Sequence, residues 1–236
     1  MLKVVSYKIC PFVQRVTALL EAKKISYEIE YINLRDKPQW FLDVSPTGQV
    51  PVLVTEEGTT LFESDAIVEY LDEIYPPLRD VTPEERAVDR AWSYQASKHY
   101  LVQCSTMQSP DEETLGQRGE KLSSAFGRAE KQLGDGPYFG GDMLGNVDIA
   151  WLPLLHRAEI VRRHSGYDFL AEFPKARAWQ AALMKTGVPA KSVAGDFEDR
   201  FSEFYLSERT YLGRQGAERR SDTGDVHCCG PASCCD

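Results

Sequence analysis

No stretch of the 236-residue chain approaches the ~18 consecutive apolar residues that a membrane-crossing helix requires. Basic excess is missing too, since 27 Lys and Arg stand against 36 Asp and Glu for a formal net charge of −9. That balance argues against a nucleic-acid footprint, which needs a basic face. Cysteine is nearly absent from the body of the chain. Of 6 cysteines, four crowd into residues 228–236, leaving only Cys10 and Cys104 elsewhere. A disulfide framework is therefore not expected, and the usage suits a reducing cytosol. There is no internal repeat, and no signal-peptide pattern precedes the first strand, so a cytoplasmic protein is expected. The remainder, 42% hydrophobic and 27% charged, is ordinary for a soluble globular chain. It is enough for one large domain or two small ones.

Against that background the stretch from Val4 to Val16 stands out. It opens as a short β-branched run, breaks at Lys8-Ile9 and turns helical after Pro11. Apolar residues then recur at Phe12, Val13, Val16, Leu19 and Leu20, the spacing of one helix face. Proline is favoured at the first helical position, where its missing N–H costs nothing. Cys10 is thereby placed at the N-cap, beside unpaired N–H groups and the positive end of the helix dipole. Such a site is expected to lower a thiol pKa from about 8.5 into the range of roughly 3.5–7.5. Cys10 reads as a thiolate nucleophile. A dithiol motif would need cysteine at position 13, where the chain has Val13. A mixed disulfide on Cys10 must then be released by an outside thiol, for which glutathione is the obvious candidate.

Ile25 to Ile32 alternates apolar and polar residues, a strand of period two. Strand, helix and strand within about thirty residues make a right-handed βαβ unit. A connecting segment follows to Val44, with a helical turn around Pro38 to Leu42. Val52-Leu53-Val54 and Thr59 to Phe62 form a hairpin across Glu56-Glu57-Gly58. Ser64 begins a helix with Ile67, Tyr70, Leu71 and Ile74 on one face, stopped by Pro76-Pro77.

This order, with a Cys-Pro helix start, resembles the thioredoxin fold. Cys10-Pro11-Phe12, Lys37-Pro38-Gln39-Trp40-Phe41, Gly48-Gln49-Val50-Pro51-Val52-Leu53 and Glu63-Ser64 resemble a glutathione transferase of the omega or omega-like cysteine type. The resemblance covers residues 1–78 closely and 79–206 loosely. It implies a cis Pro51, with the Val50 main chain pairing to the cysteinyl part of glutathione. It implies that Glu63 and Ser64 hold the γ-glutamyl end at a helix start. Lys37 would neutralise the glycyl carboxylate, and Leu34 and Phe12 would line the site. Lys37 also fits a solvated surface lysine, and Ser64 a simple N-cap. A serine cap and an anion site use the same N–H groups, so both readings of Ser64 hold together.

Leu78 to Val81 reads as a linker between a thioredoxin-like domain at 1–77 and an all-helical bundle domain at 82–206. Thr82-Pro83-Glu84-Glu85 is a capping box opening one helix to about Gln108. Further helices are expected over 112–133, from Asn146, over 174–185 and over 189–206. The helix from Asn146 is apolar all round over Ile149 to Leu155, which suits the middle of a bundle, and Pro153 should kink it. The resembled family caps this buried helix with Ser or Thr three residues before an Asp. Here the Asp is Asp148 and the cap is Gly145, at a cost of only a few tenths of a kcal/mol. From Ser207 the apolar period disappears, and 207–236 reads as a disordered tail.

The leading functional reading is a cytosolic enzyme that uses glutathione as co-substrate for thiol transfer or reduction through a mixed disulfide on Cys10. The omega-like resemblance implies thioltransferase and dehydroascorbate reductase activities and a homodimer. Its second partner is a small electrophilic or disulfide substrate, with neither nucleic acid nor membrane involved. One alternative is a cysteine-type transferase specialised for a carbon–sulfur or ether substrate, its pocket drawn from residues such as Tyr94, His99, Tyr100 and Trp151. Another is a binding protein that kept the fold without the chemistry. No metal is expected in the body. The tail residues His227, Cys228, Cys229, Cys234 and Cys235 could bind soft Cu(I) or Zn(II), but adjacent cysteines suit tetrahedral zinc poorly. The tail is better read as a redox-labile appendage. Titration of a synthetic 223–236 peptide with zinc or Cu(I) is expected to show no binding tighter than micromolar.

Overall fold

A computed structural model describes residues 1–222. Its first part runs β1 (Leu2–Ser6), α1 (Pro11–Lys23), β2 (Tyr27–Tyr31), α2 (Gln39–Val44), β3 (Val52–Val54), β4 (Thr60–Phe62) and α3 (Ser64–Ile74). The sheet order is β2-β1-β3-β4. β1 runs parallel to β2, pairing Ser6 with Tyr31, and antiparallel to β3, pairing Val5 with Val52. β3 and β4 form the expected hairpin, with Val52 opposite Phe62. This is the thioredoxin-like arrangement.

The central strands supply the core, with Val4, Val5, Val52 and Leu53 fully buried. β2 lies at the edge, so its alternating pattern leaves Ile29 and Tyr31 partly in solvent. α1 is buried far beyond one stripe: Val13, Gln14, Arg15, Val16, Thr17, Ala18, Leu19 and Leu20 are all inside. The helix packs on the sheet side with α3 and, on the other side, against a long helix of the second part. It ends at Lys24 in the left-handed conformation (φ 57°), where the Ile25 N–H returns to the Leu20 carbonyl at 2.9 Å.

The second part comprises α4 (Pro83–Ser97), α5 (Tyr100–Met107), α6 (Glu112–Gln132), α7 (Asn146–Ser165), α8 (Pro174–Lys185), α9 (Val188–Lys191), α10 (Phe197–Tyr205) and α11 (Tyr211–Asp222). Both halves of the Thr82 capping box are present, Glu85 N–H to Thr82 Oγ1 at 3.2 Å and Thr82 N–H to Glu85 Oε2 at 2.8 Å. α7 is the central helix, packed against α1, α4, α8 and α11. Trp151 meets Phe126 and Trp179 there with centroids 5.9 and 5.7 Å apart, and its indole N–H donates to the Trp92 carbonyl at 3.1 Å. Pro153 lies inside this helix.

Three expectations need correction. The helix expected to run to about Gln108 divides at Lys98-His99. The His99 N–H turns to Ala96 O at 2.9 Å, and its ring Nδ1 lies 2.6 Å from Gln95 O, tightening the ladder into a stop. The helix expected over 189–206 divides into α9 and α10. The Ser192 carbonyl accepts from Thr17 Oγ1 on α1 at 2.7 Å, while Ser192 Oγ bonds Pro189 O at 3.0 Å. The chain from Ser207 is not disordered as far as residue 222. Thr210 Oγ1 caps α11 by accepting from Gly213 N–H at 3.1 Å, and Leu212 is buried. α11 docks on α7 so closely that a Cβ on Gly216 would stand 2.5 Å from the His164 ring. The helix therefore depends on tertiary contact, which its weak apolar period does not announce. The tail residues His227, Cys228, Cys229, Cys234 and Cys235 lie outside the described residues.

Gly145 caps α7 without a side chain, and Asp148 compensates. Its carboxylate accepts from Gly145 N–H at 2.7 Å, Phe139 N–H at 2.8 Å and Trp179 Nε1–H at 2.6 Å. Burial outweighs these bonds and pushes the Asp148 pKa up to about 6. Because the folded-state value is raised, the proton is held more tightly in the folded chain. This contribution to stability is complete below the pKa of an unfolded carboxyl and is lost as pH rises through about 6. Asp148→Ala strands three donors and is expected to cost about 3–5 kcal/mol in urea unfolding at pH 7. Asp148→Asn should cost less and should remove the decline in stability between pH 4 and 6.

Candidate functional site

The strand register gathers the sequence-derived residues at one end of the sheet. β1 and β2 finish there, β3 begins and β4 ends. The Tyr7–Cys10 turn, Leu34 and Lys37, Val50-Pro51 and Glu63-Ser64 all leave the sheet at that end. The turn is closed by the Cys10 N–H donating to Tyr7 O at 2.9 Å, and Gln14 N–H returns to Cys10 O at 3.1 Å. Cys10 occupies the N-cap of α1 in extended conformation (φ −76°, ψ 122°), with Pro11 following at the helix start. The Val13 and Phe12 N–H groups of that first turn act on the sulfur in favour of its anion, although its side chain makes no cap hydrogen bond. The amide tip is therefore behind the thiol, as Cys-Pro implied.

The expected low thiol pKa is not what this environment gives. Burial pushes Cys10 above its ordinary value, and the neighbouring Cys104 thiol adds to the rise. The Val13 and Phe12 N–H groups and the Arg157 guanidinium pull the other way without overcoming it. Burial takes water away from the sulfur on a helix whose flanks are both packed, which penalises the charged form, and a strand-to-helix motif carries no information about that loss of hydration.

The Val50–Pro51 peptide is cis, with Pro51 buried and Val50 half-buried. Leu34 and Val50 pack against the same small cluster of Val5, Ile32, Phe41 and Val52. Phe12 meets Tyr100 of α5 edge-on, with centroids 5.0 Å apart. Lys37 is half-buried and reaches the 45–51 turn, where a Cβ on Gly48 would lie 3.5 Å from its Nζ. Glu63 occupies the N-cap position of α3 without a side-chain cap bond, at φ 64°, ψ 118°, a strained setting for a residue with a Cβ. Ser64, expected as the N-cap, lies instead in the buried first turn. A cleft of about 530 Å³ opens beside the Tyr7–Cys10 turn, lined by Tyr7, Lys8, Ile9, Tyr31, Phe204 and Arg209 among others.

Of the interdomain residues considered from sequence, only Tyr100 packs at the α1 start. Tyr94 donates to Glu69 at 3.0 Å, His99 ends α4, and Trp151 is spent in the aromatic core. Sequence reasoning missed a buried polar network. Gln14 Oε1 accepts from Arg157, Gln14 Nε2 donates to His156 Nδ1 at 2.9 Å, and His156 stacks on Phe197 at 5.5 Å. Burial and the adjacent Arg157 pull the His156 pKa down to about 3, which keeps the ring neutral. The available signal was an arginine four residues after Pro153 in a helix otherwise written for the core.

Comparison with known proteins gives a consistent picture. The family model described as glutathione S-transferase, N-terminal domain, matches residues 9–74, and the model for the C-terminal domain matches residues 112–182. The chain is 34% identical over 214 residues to glutathione S-transferase omega-1 of Sus scrofa, covering 87% of this chain and 86% of that one. It is 36% identical over 155 residues to glutathione S-transferase DHAR2 of Arabidopsis thaliana, covering 66% and 70% respectively. Among solved structures, glutathione transferase Omega 3C from Trametes versicolor superposes with a TM-score of 0.71 at 27% identity, covering 82% of this chain and 89% of that one.

A thiol raised by burial ionises late. Alkylation of Cys10 by iodoacetamide, followed on its own peptide by mass spectrometry, is expected to accelerate about tenfold per pH unit from pH 6 to 8. A plateau already reached below pH 7 would contradict the raised value.

Proposed function

Since the chain belongs to the glutathione S-transferase family, we propose that it is a glutathione-dependent thiol transferase and reductase of the omega and dehydroascorbate reductase type, with Cys10 as its nucleophile. The observation that carries this reading is the Cys10 sulfur at the amide tip of α1, at the sheet end where Val50-Pro51 and Glu63-Ser64 also emerge. The Cys10 thiolate attacks the glutathione sulfur of a mixed disulfide, forming Cys10–S–S–glutathione and releasing the substrate thiolate. A second glutathione thiolate attacks that sulfur in turn. Oxidised glutathione departs, and Cys10 returns as thiolate. Dehydroascorbate takes up two electrons and two protons and leaves as ascorbate, while Cys10 and one glutathione are joined in the same mixed disulfide. A second glutathione then cleaves that disulfide to oxidised glutathione and the Cys10 thiolate.

The late-ionising thiol is compatible with this cycle. Intrinsic nucleophilicity falls as pKa falls, so a small thiolate population of higher basicity remains reactive near neutral pH. In this reading the Val50 main chain pairs with the cysteinyl unit beside the cis Pro51. Glu63 and the Ser64 turn hold the γ-glutamyl end, Lys37 faces the glycyl carboxylate, and Leu34 and Phe12 line the groove. The strained Glu63 backbone supports this assignment, because such conformations persist where a ligand contact needs them. The domains divide at residues 78–81, and the protein works as a homodimer in the cytosol. Both cysteines among the described residues are free thiols, which fits that compartment. No helix of the described residues is long and apolar enough to cross a membrane.

Cys10→Ala and Cys10→Ser are expected to lose at least about 100-fold in turnover of hydroxyethyl disulfide with glutathione, as removal of a covalent nucleophile should. Full activity in either variant would overturn the proposal. Lys37→Ala and Glu63→Ala should instead raise the KM for glutathione roughly 10-fold each, with smaller effects on kcat.

A further inference from the structure

Arg157 is fully buried, and no carboxylate pairs with it among the described residues. Its Nη1 donates to Gln14 Oε1 and to Pro153 O at 3.1 Å, and its Nη2 donates to Ile9 O at 3.2 Å. Phe197 lies under the guanidinium at 5.4 Å. The Nε is buried without a hydrogen-bond partner. Arginine remains charged in a protein interior, so this is a permanent cation held only by neutral carbonyls and a ring. An unpaired buried charge costs several kcal/mol, and a fold that keeps one commonly supplies an anion.

The ionisable groups that face it are few. Cys10 sits at the start of α1 and Cys104 and Tyr100 on α5, with Tyr205 at the end of α10. His156, its neighbour on α7, is held neutral with Nδ1 bonded to Gln14. The two phenols ionise only far above neutral pH, because burial raises both. Cys104 is buried in the core, whereas Cys10 is only partly buried and directly follows Ile9, whose carbonyl holds the guanidinium. The anion that this cation awaits is therefore the Cys10 thiolate.

We propose that Arg157 is the positioning cation of the reactive sulfur, fixed by Gln14 and the Ile9 carbonyl behind the turn that presents Cys10. The inference rests on Cys10 being the nucleophile. Its largest effect falls on the second half of the cycle. When glutathione attacks the mixed disulfide, the Cys10–sulfur bond breaks, its electron pair stays on Cys10, and a new sulfur–sulfur bond joins the two glutathiones. Cys10 is the leaving group in that step, and a leaving thiolate departs faster when its charge is stabilised. The helix N-terminus acts on the same sulfur through its amides, and Arg157 acts from the other domain.

The test is the pH profile of Cys10 alkylation, read on its own peptide in the full chain, for the native protein, Arg157→Met and Arg157→Lys. Arg157→Met is expected to move the midpoint up by at least about one pH unit, a roughly tenfold loss of thiolate near pH 7. Arg157→Lys should stay within about half a unit of native. A folded Arg157→Met protein with the native midpoint overturns the inference. Should that variant fail to fold, the Arg157 Nε–H resonance of the native protein decides. It is expected to shift with the Cys10 midpoint and to stop shifting in Cys10→Ser, while a resonance flat through that midpoint refutes the role. Loss of disulfide turnover in Cys10→Ser together with an unmoved Arg157→Met midpoint would sink Arg157 alone and leave the nucleophile standing.

Discussion

The molecule depends on α1 being buried from both sides. An ordinary surface helix hides one apolar stripe and shows the rest to water. Here the sheet and α3 take one flank, while α7 and α9 take the other. Gln14, Arg15 and Thr17 are consequently as enclosed as the aliphatic residues beside them. Each of these polar residues then requires a partner from outside its own domain or element. Gln14 finds Arg157, Thr17 finds the Ser192 carbonyl, and Arg15 finds Asp65 on α3. These bonds orient the two parts of the chain relative to the helix that carries the thiol.

The same enclosure decides the chemistry at its tip. A helix N-terminus in water would favour the thiolate, through amides and dipole acting on a hydrated sulfur. Burial takes away the hydration first, so the outcome is set by the difference between two large opposing effects. That is why Cys10 is placed where the motif requires yet holds its proton longer than the motif suggests. α7 carries the matching problem at its own start, where Asp148 gathers three donors and still has a raised pKa. Nine residues along the same helix, Arg157 has carbonyls in place of a counter-ion. α7 is thus a core helix with one buried carboxyl and one buried guanidinium, too far apart along its axis to neutralise each other.

Much of the fold was legible because its signals are local. Cys10-Pro11 marks a helix start by backbone chemistry alone, and Thr82 with Glu85 marks another by reciprocal hydrogen bonds three residues apart. The pairing of Val52 to Val54 with Thr60 to Phe62 across a glycine turn likewise needs only its neighbours. Where the reading failed, the deciding partner was distant. The break at Ser192 follows from a threonine 175 residues earlier. α11 exists because glycine lets it approach His164, a contact across 52 residues of sequence.

The sequence by itself determined which residues could do chemistry and in what order the elements run, since turn, cap and period are short-range consequences of side-chain shape. Tertiary structure decided how reactive the thiol is, which cation faces it and where the last helix lies. Those outcomes turn on hydration lost to burial and on contacts between residues far apart in the chain, and neither quantity is written in any one segment.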